Sequence, residues 1–417
     1  MERTIFHIDM NSCYASIESL FRPELRNVPM AVGGDEQARH GIILAKNELA
    51  KKYGVRTGEA LWQARQKCPG ITIVPPHYDR YVEFSRRARE IYGEYTDLIE
   101  PFGIDEVWAD VSGSVRLESG TAGTLANEIR LRIKRELGIT VSVGASYNKI
   151  FAKLGSDYKK PDAVTVFTRE NYRCRVWPLP CAELLFVGHA TEERLSHYGI
   201  HTIGQIAQTP PRLLKSWLGK QGMTLHLYAN GQDMSPVSRL GEEAVVKSVS
   251  NSTTTPRDME NTADASVALH GLCDSVARRL RENRLIAKTV QLSMRDTSLN
   301  VTERQKTLAM PTHLAPEIYD AAMELLCAHY DWKKPLRSIG VMAGNLAPED
   351  TPVQLSLFDD AEKRSRREKL AAVSDDICRM YGGRALCTAA ALSDPTLIYA
   401  GTAKEREIQK IGGFQRS

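Results

Sequence analysis

The sequence is poor in the features that would set it apart from ordinary globular proteins. Its 417 residues hold eight scattered cysteines and no C-x-x-C pair. That spacing indicates neither a zinc site nor a disulfide framework, and it suits a reducing compartment. No apolar run approaches the ~18 residues of a membrane span, and the first residues carry no basic and apolar leader. A cytoplasmic protein with no membrane attachment is expected. Net charge is only +4, so the chain as a whole does not announce a polyanion partner, and any basic surface must be local. Apolar and charged shares of 42% and 25% are ordinary for packed globular protein. The length suggests about three domains.

What is present is the run Phe102-Gly103-Ile104-Asp105-Glu106-Val107-Trp108-Ala109-Asp110-Val111. Two adjacent carboxylates, Asp105 and Glu106, interrupt an apolar stretch after a glycine. This reads as a strand, a tight turn and a second strand, with the acids at the bend. A lone Asp-Glu pair at a turn is ordinarily a solvated tip. A second β-prone run, Thr4-Ile5-Phe6-His7-Ile8-Asp9-Met10, also ends in a carboxylate, and that changes the weighing. Acids beside a hydrophobic sheet cost desolvation energy unless something positive stands between them. Three of them can hold two divalent ions about 3.5–4 Å apart, which clamp the attacking and leaving oxygens of an in-line phosphoryl displacement. Oxygen ligands in an incomplete protein cage favour magnesium.

The flanking segments fit a site of this kind. Asn11 or Ser12 can cap a helix that carries Tyr14 about one turn beyond Asp9. A ring there either packs under a nucleotide sugar, excluding a 2′-hydroxyl, or fills a core. Residues 46–54 read as a helix closed by Gly54. Its Lys46, Lys51 and Lys52, with Arg56, form either a triphosphate-facing or a solvated basic face. Helices over 79–95 and 124–137, a strand over 140–145, a short helix over 148–155, a turn at 159–163 and a strand over 164–167 follow. The order predicts an α+β sheet layered with helices, gathering Asp9, Asp105, Glu106 and Lys160 near one edge.

Three ordered motifs resemble the palm motifs of Y-family DNA polymerases, nearest the bacterial DNA polymerase IV group of translesion enzymes. They are Asp9-Met10-x-x-x-Tyr14-Ala15-Ser16-Ile17-Glu18, Gly103-Ile104-Asp105-Glu106-Val107-Trp108-Ala109-Asp110, and Val143-Gly144-Ala145-Ser146-x-Asn148-Lys149-x-Phe151-Ala152-Lys153-Leu154 with Lys160-Pro161 beyond it. The resemblance implies a multidomain α+β right hand. Its parts are a palm (1–10 and 78–167), small fingers (11–77), a helical thumb with a helix–hairpin–helix (168–233), a linker (234–246), an α/β little finger (247–346) and a C-terminal tail (347–417). It implies that Asp9, Asp105 and Glu106 are the catalytic carboxylates. With the Met10 carbonyl they would bind two Mg2+ ions, Mn2+ being able to substitute. Tyr14 becomes the steric gate that selects deoxynucleotides, and Lys160 a triphosphate contact. Two positions depart from the family pattern. Where relatives usually carry an aromatic and an arginine that grip the triphosphate, this chain has Glu48 and Lys51, so Lys46 and Lys51 are expected to take over the grip. Cys13 also stands where many relatives have an aromatic.

In the thumb region a helix, a turn at Gly188 and a second helix ending at Tyr198-Gly199 resemble a helix–hairpin–helix. Such a hairpin offers backbone N–H groups to a DNA phosphate. Gly188, Ala190 and Lys220 are the DNA-binding candidates there. Beyond the linker come a polar strand over 247–255, a helix over 267–284, strands over 289–295 and 338–343, and a helix over 316–329. Arg281, Arg284 and Arg295 are candidates for neutralising the DNA backbone. Gln354-Leu355-Ser356-Leu357-Phe358 resembles the pentapeptide with which bacterial polymerases plug into the sliding clamp, through Gln354, Leu355, Leu357 and Phe358. Residues 361–381 read as a basic amphipathic helix with Leu370, Val373, Ile377 and Met380 in one stripe, and 395–417 as a polar, disordered tail. The expected function is template-directed, low-fidelity DNA synthesis across lesions, by a monomer acting on primer–template DNA and dNTP. Two rivals remain open. One is a catalytically weak DNA- and clamp-binding accessory protein, which Glu48 keeps alive. The other is a palm-fold nucleotidyl cyclase, superficially suggested by Gly33-Gly34-Asp35-Glu36.

Overall fold

The strand that organises the fold is β1 (Ile5–Met10), whose six residues are all buried. It is the middle strand of a five-stranded sheet in a computed structural model that describes residues 3–36, 39, 41–115, 121–242, 245–352, 361–382, 385, 386, 389, 394, 396 and 397. After β1 come α1 (Cys13–Phe21), β2 (Met30–Gly33), β3 (Ile43–Lys46), α2 (Glu48–Lys52), α3 (Leu61–Lys67), β4 (Thr72–Val74) and α4 (Tyr78–Gly93). Then follow β5 (Ile99–Pro101), β6 (Glu106–Asp110), α5 (Thr121–Leu137), β7 (Val141–Ser146), α6 (Lys149–Tyr158) and β8 (Val164–Val166). The main sheet has the order β5-β6-β1-β7-β8, with β1 antiparallel to both neighbours, and β2, β3 and β4 form a separate sheet. The bend between β5 and β6 uses Gly103 at φ +96°, a conformation that glycine adopts without steric cost.

Alternation along β1 sorts its side chains. Phe6, Ile8 and Met10 join a core built with Cys13 and Ile17 of α1, Tyr81 and Ala88 of α4, and Ile129 and Ile133 of α5. Ile5, His7 and Asp9 face the other way, toward α6, where Ile5 packs with Trp108 and Ala152. The strand register places Glu106 and Trp108 on one side of this face, and Ser142, Gly144 and Ser146 on the other. Gly144 is the point of closest approach: a Cβ there would lie 1.9 Å from the Ala152 carbonyl oxygen.

The described residues divide into two compact units, one within Met1–Gly33 and Ile43–Glu243, the other within Gly34–Ile42 and Ala244–Arg406. The first unit ends in short helices: α7 (Tyr172–Arg175), α8 (His189–His197), α9 (Ile203–Gln208), α10 (Pro211–Leu218) and α11 (Lys220–Ala229). The helix expected before Gly188 is only a 3-10 turn, Cys181–Glu183, because Leu184 returns to an extended conformation at once.

The second unit contains β9 (Ser248–Met259), α12 (Thr262–Glu282), β10 (Leu285–Asp296), β11 (Val301–Thr312), α13 (Ala315–His329), β12 (Leu336–Pro348) and α14 (Ala361–Tyr381). Its antiparallel sheet has the order β11-β10-β12-β9. Val249, Val290, Leu292, Met294, Ile339, Val341 and Ala343 pack in one core with Leu272, Val276 and Leu280 of α12 and Ile318 of α13. Strand β11 was not anticipated from the sequence. It is an edge strand whose polar residues lie on both faces, so it leaves no apolar alternation to read. The helix expected over 361–381 is α14; its stripe residues Leu370, Val373 and Met380 are exposed, and it attaches through Asp375 and Arg364. One further expectation is corrected. Residues from 395 onward are not uniformly a disordered tail, since Leu397 is 1% exposed and belongs to the core. The clamp-peptide positions Gln354, Leu355, Leu357 and Phe358 lie outside the described residues.

Candidate active site

Asp9 at the end of β1 and Glu106 at the start of β6 are direct cross-strand partners. Cross-strand partners have Cβ atoms about 4.5–5.5 Å apart on one face, so the two carboxylates share a site. Asp105 precedes the strand, and its carbonyl accepts the Met10 N–H at 3.0 Å, which ties the bend to the end of β1. Two ammonium groups reach in from α6 and the turn after it. Lys160 Nζ lies 2.6 Å from Asp9 Oδ2. Lys153 Nζ bridges Glu106 Oε2 at 2.7 Å and Asp9 Oδ2 at 3.5 Å. Asp157 pairs with both lysines, at 3.3 and 2.6 Å. The structure thus brings together Asp9, Asp105, Glu106 and Lys160, and adds Lys153, to which the sequence assigned no role.

The acids repel one another. Burial, then the charges of Asp9 and Glu106, push Asp105 up to about 7. Burial and Glu106 likewise raise Asp9. Burial opposes the charge on Lys160, but Asp9 and Asp157 outweigh it and hold the ammonium above its ordinary range. Behind the acids, His7 is fully buried. Ser156 Oγ donates to the Lys153 carbonyl at 2.8 Å, so it accepts from His7 Nδ1 at 2.8 Å. That pattern leaves Nε2 bare, 3.2 Å from Glu106 Oε2 and without hydrogen-bond alignment. Burial, helped by Lys153, keeps the ring well below its ordinary pKa and therefore neutral.

Of the two expected cap candidates for α1, Ser12 takes the N-cap position, with φ +47° and no side-chain capping hydrogen bond, and Asn11 does not. Its amide instead links Ser142 Oγ at 2.8 Å to the Asp162 N–H at 2.8 Å, anchoring the turn that carries Lys160. Arg89 supports the bend from α4 by donating to the Gly103 carbonyl at 3.0 Å. His7, Asn11, Arg89 and Lys153 were missed because each reads alone as an ordinary core or surface residue. Only the motif that contains Lys153 hinted at more.

Tyr14 is half-buried on α1, its ring stacked on Tyr81. Asn47 caps α2, accepting from the Ala50 N–H at 2.9 Å. Lys46 donates to Thr57 at 3.1 Å, and burial together with the nearby Lys51 charge lowers its pKa. Glu48 sits 3.7 Å from Lys51 and offsets one of these charges.

Of the DNA candidates, Gly188 is the N-cap of α8 and Ala190 lies in its first turn, where backbone N–H groups have no intrahelical acceptor. Lys220 is exposed at the start of α11. Arg284 and Arg295 are exposed in the second unit. Arg281 requires correction. It forms a two-pronged pair with Asp375 at 2.6 and 2.9 Å and donates to the His313 carbonyl at 2.7 Å, so its guanidinium is already engaged. Opposite the helices, the sheet instead presents Ser250, Ser252, Thr254, Gln291, Ser293 and Arg295.

The residues fit divalent cations. Asp9, Asp105 and Glu106 with the Met10 carbonyl are all hard oxygen donors, and their mutual repulsion is that of a site that takes up positive charge. Among the described residues no three His, Cys, Asp or Glu side chains already form a metal cage. Lys153 and Lys160 pair with Asp9 and Glu106.

Family models agree with this geometry. The impB/mucB/samB family model matches residues 8–157, its C-terminal domain model residues 246–357, and a DNA polymerase-iota thumb-domain model residues 183–233. A solved chimeric Y-family DNA polymerase aligns with a TM-score of 0.72 at 24% identity, covering 83% of this chain and 99% of that one, which is a likeness of fold. DNA polymerase IV of Acetivibrio thermocellus is 47% identical over 92% of this chain and 96% of its own length. DNA polymerase IV 2 of Bacillus subtilis is 38% identical over 100% of this chain and 99% of its own. The chain belongs to the Y-family DNA polymerases, in the bacterial DNA polymerase IV group. Among the described residues no helix is long and apolar enough to cross a membrane.

Proposed function

We propose that this chain is a template-directed DNA polymerase of the translesion type, which transfers nucleotides from dNTPs to the 3′-hydroxyl of a primer. A bond forms between the primer oxygen and the α-phosphorus, the bond from that phosphorus to the β-bridging oxygen breaks, and pyrophosphate leaves. The observation that carries the reading is the convergence of Asp9 and Glu106 across one strand pair, with Asp105 tied beside them and Lys160 at their edge. Asp9, Asp105, Glu106 and the Met10 carbonyl would hold two Mg2+ ions, or Mn2+ in their place, which when bound lower the pKa of the primer hydroxyl and neutralise charge on the leaving oxygens. Lys160 exchanges Asp9 for the triphosphate, and Lys46 and Lys51 grip its far end. Tyr14 packs under the sugar. The backbone amides at Gly188 and Ala190, with Lys220, Arg284 and Arg295, hold DNA phosphates without reading sequence. A fingers sheet of only three short strands polices the new base pair loosely, which suits damaged templates.

The protein works as a cytoplasmic monomer, and Gln354, Leu355, Leu357 and Phe358 dock it on the bacterial sliding clamp. A Leu357→Ala/Phe358→Ala variant would lose clamp binding in a surface-plasmon assay if that docking is right. The central test is extension of a labelled primer–template with dNTPs and Mg2+, beside an Asp105→Ala/Glu106→Ala control. Extension lost in the control supports the site. Absence of extension with DNA still bound would sink the stand-alone polymerase and revive the accessory-protein rival. The cyclase rival predicts turnover without a primer.

A further inference from the structure

We infer that Glu18 and Tyr81 are positioning residues that fix the plane of the Tyr14 ring and thereby set how sharply the site rejects a ribose 2′-hydroxyl. The inference rests on the reading of Tyr14 as the sugar gate. The Tyr14 and Tyr81 rings stack with centroids 4.1 Å apart and planes 8° from parallel. Tyr78 packs edge-on against both, at 5.9 and 5.7 Å. Tyr81 is fully buried, and its hydroxyl is held at both ends of its hydrogen-bonding capacity. It donates to Glu18 Oε1 at 2.6 Å and accepts the His77 N–H at 3.1 Å. Glu18 is itself fully buried, one helical turn after Tyr14 on α1. Its carboxylate also meets the His77 ring at 2.9 Å and Arg80 at 3.2 Å.

A chain of contacts therefore runs from a buried carboxylate, through a phenol that cannot turn, to the face of the gate. Stacked aromatic pairs hold their geometry through contact area and ring electrostatics. Anchoring one ring by buried hydrogen bonds denies the other its easiest tilt. An apolar surface discriminates against an added hydroxyl only by about 10²-fold even when well formed, so a small tilt of the gate removes much of the selectivity. A residue that merely stabilised the fold would lower the rates with both sugars alike.

The experiment measures kcat/KM for a ribonucleotide and for the matching deoxynucleotide on one primer–template, in wild type, Tyr14→Ala, Tyr81→Phe and Glu18→Gln. Tyr81→Phe keeps the ring and deletes only the hydroxyl, so it decides the matter should Glu18→Gln fail to fold. Tyr14→Ala is expected to raise the ribo/deoxy ratio most. Tyr81→Phe and Glu18→Gln are expected to raise it by about 3- to 30-fold, a fraction of that limit. If Tyr14→Ala raises the ratio and the other two leave it at the wild-type value, the positioning role is overturned. If Tyr14→Ala leaves it unchanged, the gate reading itself fails.

Discussion

Gly144→Ala tests how α6 is held against the catalytic sheet. The added Cβ would stand 1.9 Å from the Ala152 carbonyl oxygen, 2.3 Å from the Ser156 nitrogen and 2.7 Å from the Gly155 carbonyl carbon. All three are backbone atoms of α6 and have no rotamer to change. Ordinary contact begins near 3.4 Å, so α6 must retreat by about 1.5 Å. Overpacking a filled interior costs ~1–3 kcal/mol where side chains can yield, and here none can. A loss of about 3 kcal/mol or more is expected. The same retreat would carry Lys153 away from Glu106, now 2.7 Å from its ammonium, and slacken the carboxylates. Gly155→Ala is the internal control, because its Cβ meets Gly144 Cα at 2.9 Å and the Thr165 carbonyl at 3.4 Å, so it should cost less. Primer extension assayed after equilibration in rising urea reads the stability of the unit that contains the site. The expected order of midpoints is wild type, then Gly155→Ala, then Gly144→Ala. A Gly144→Ala enzyme with the wild-type midpoint would refute the close packing of α6 on β7.

Lys160→Met should raise the KM for dNTP by about 10-fold or more, the worth of one charged hydrogen bond of ~1.5–3 kcal/mol, while the Asp105→Ala/Glu106→Ala control loses turnover itself. A KM unchanged in steady-state extension would remove Lys160 from the triphosphate. Glu48→Gln should lower the KM for dNTP about two- to fivefold, the ~0.4–1 kcal/mol of a partly exposed pair, by freeing Lys51 from its 3.7 Å partner; a raised KM would mean that Glu48 aids binding. Asp162 gives a pH test. Burial opposes its charge, but Lys134 and Arg130 hold its carboxyl below the ordinary 3.8. A depressed folded pKa contributes stability above the unfolded value that disappears as pH falls through the folded one. Asp162→Asn should therefore be the less stable protein at pH 6, with the gap closing only below pH 4; a gap in urea midpoints that persists unchanged well below pH 4 would count against the ion pairs.

Much of the site was legible because acids interrupting apolar runs are costly, and Asp9, Asp105 and Glu106 are such interruptions. Their sharing of one site was harder to see, since neighbours in a strand point to opposite faces. The register resolves this: Glu106 lies opposite Asp9, while Asp105 sits before the strand and is joined to β1 through its backbone. Lys153 was illegible as a participant because a lysine on a helix ordinarily points to water. Its inward aim depends on the contact between Gly144 and Gly155, a property of two distant segments. Edge strand β11 left no pattern because polar residues stand on both its faces. Arg281 misled for the converse reason. Counting basic residues near 280 suggested a DNA surface, but its partner Asp375 lies 94 residues further on. Removing Arg281 from that surface leaves a sheet face of serine, threonine and glutamine beside Arg295. Hydroxyls and amides can hold phosphates in register without carrying charge. A net charge of only +4 is then compatible with the proposed DNA partner, because a face of hydroxyls and amides adds nothing to the count.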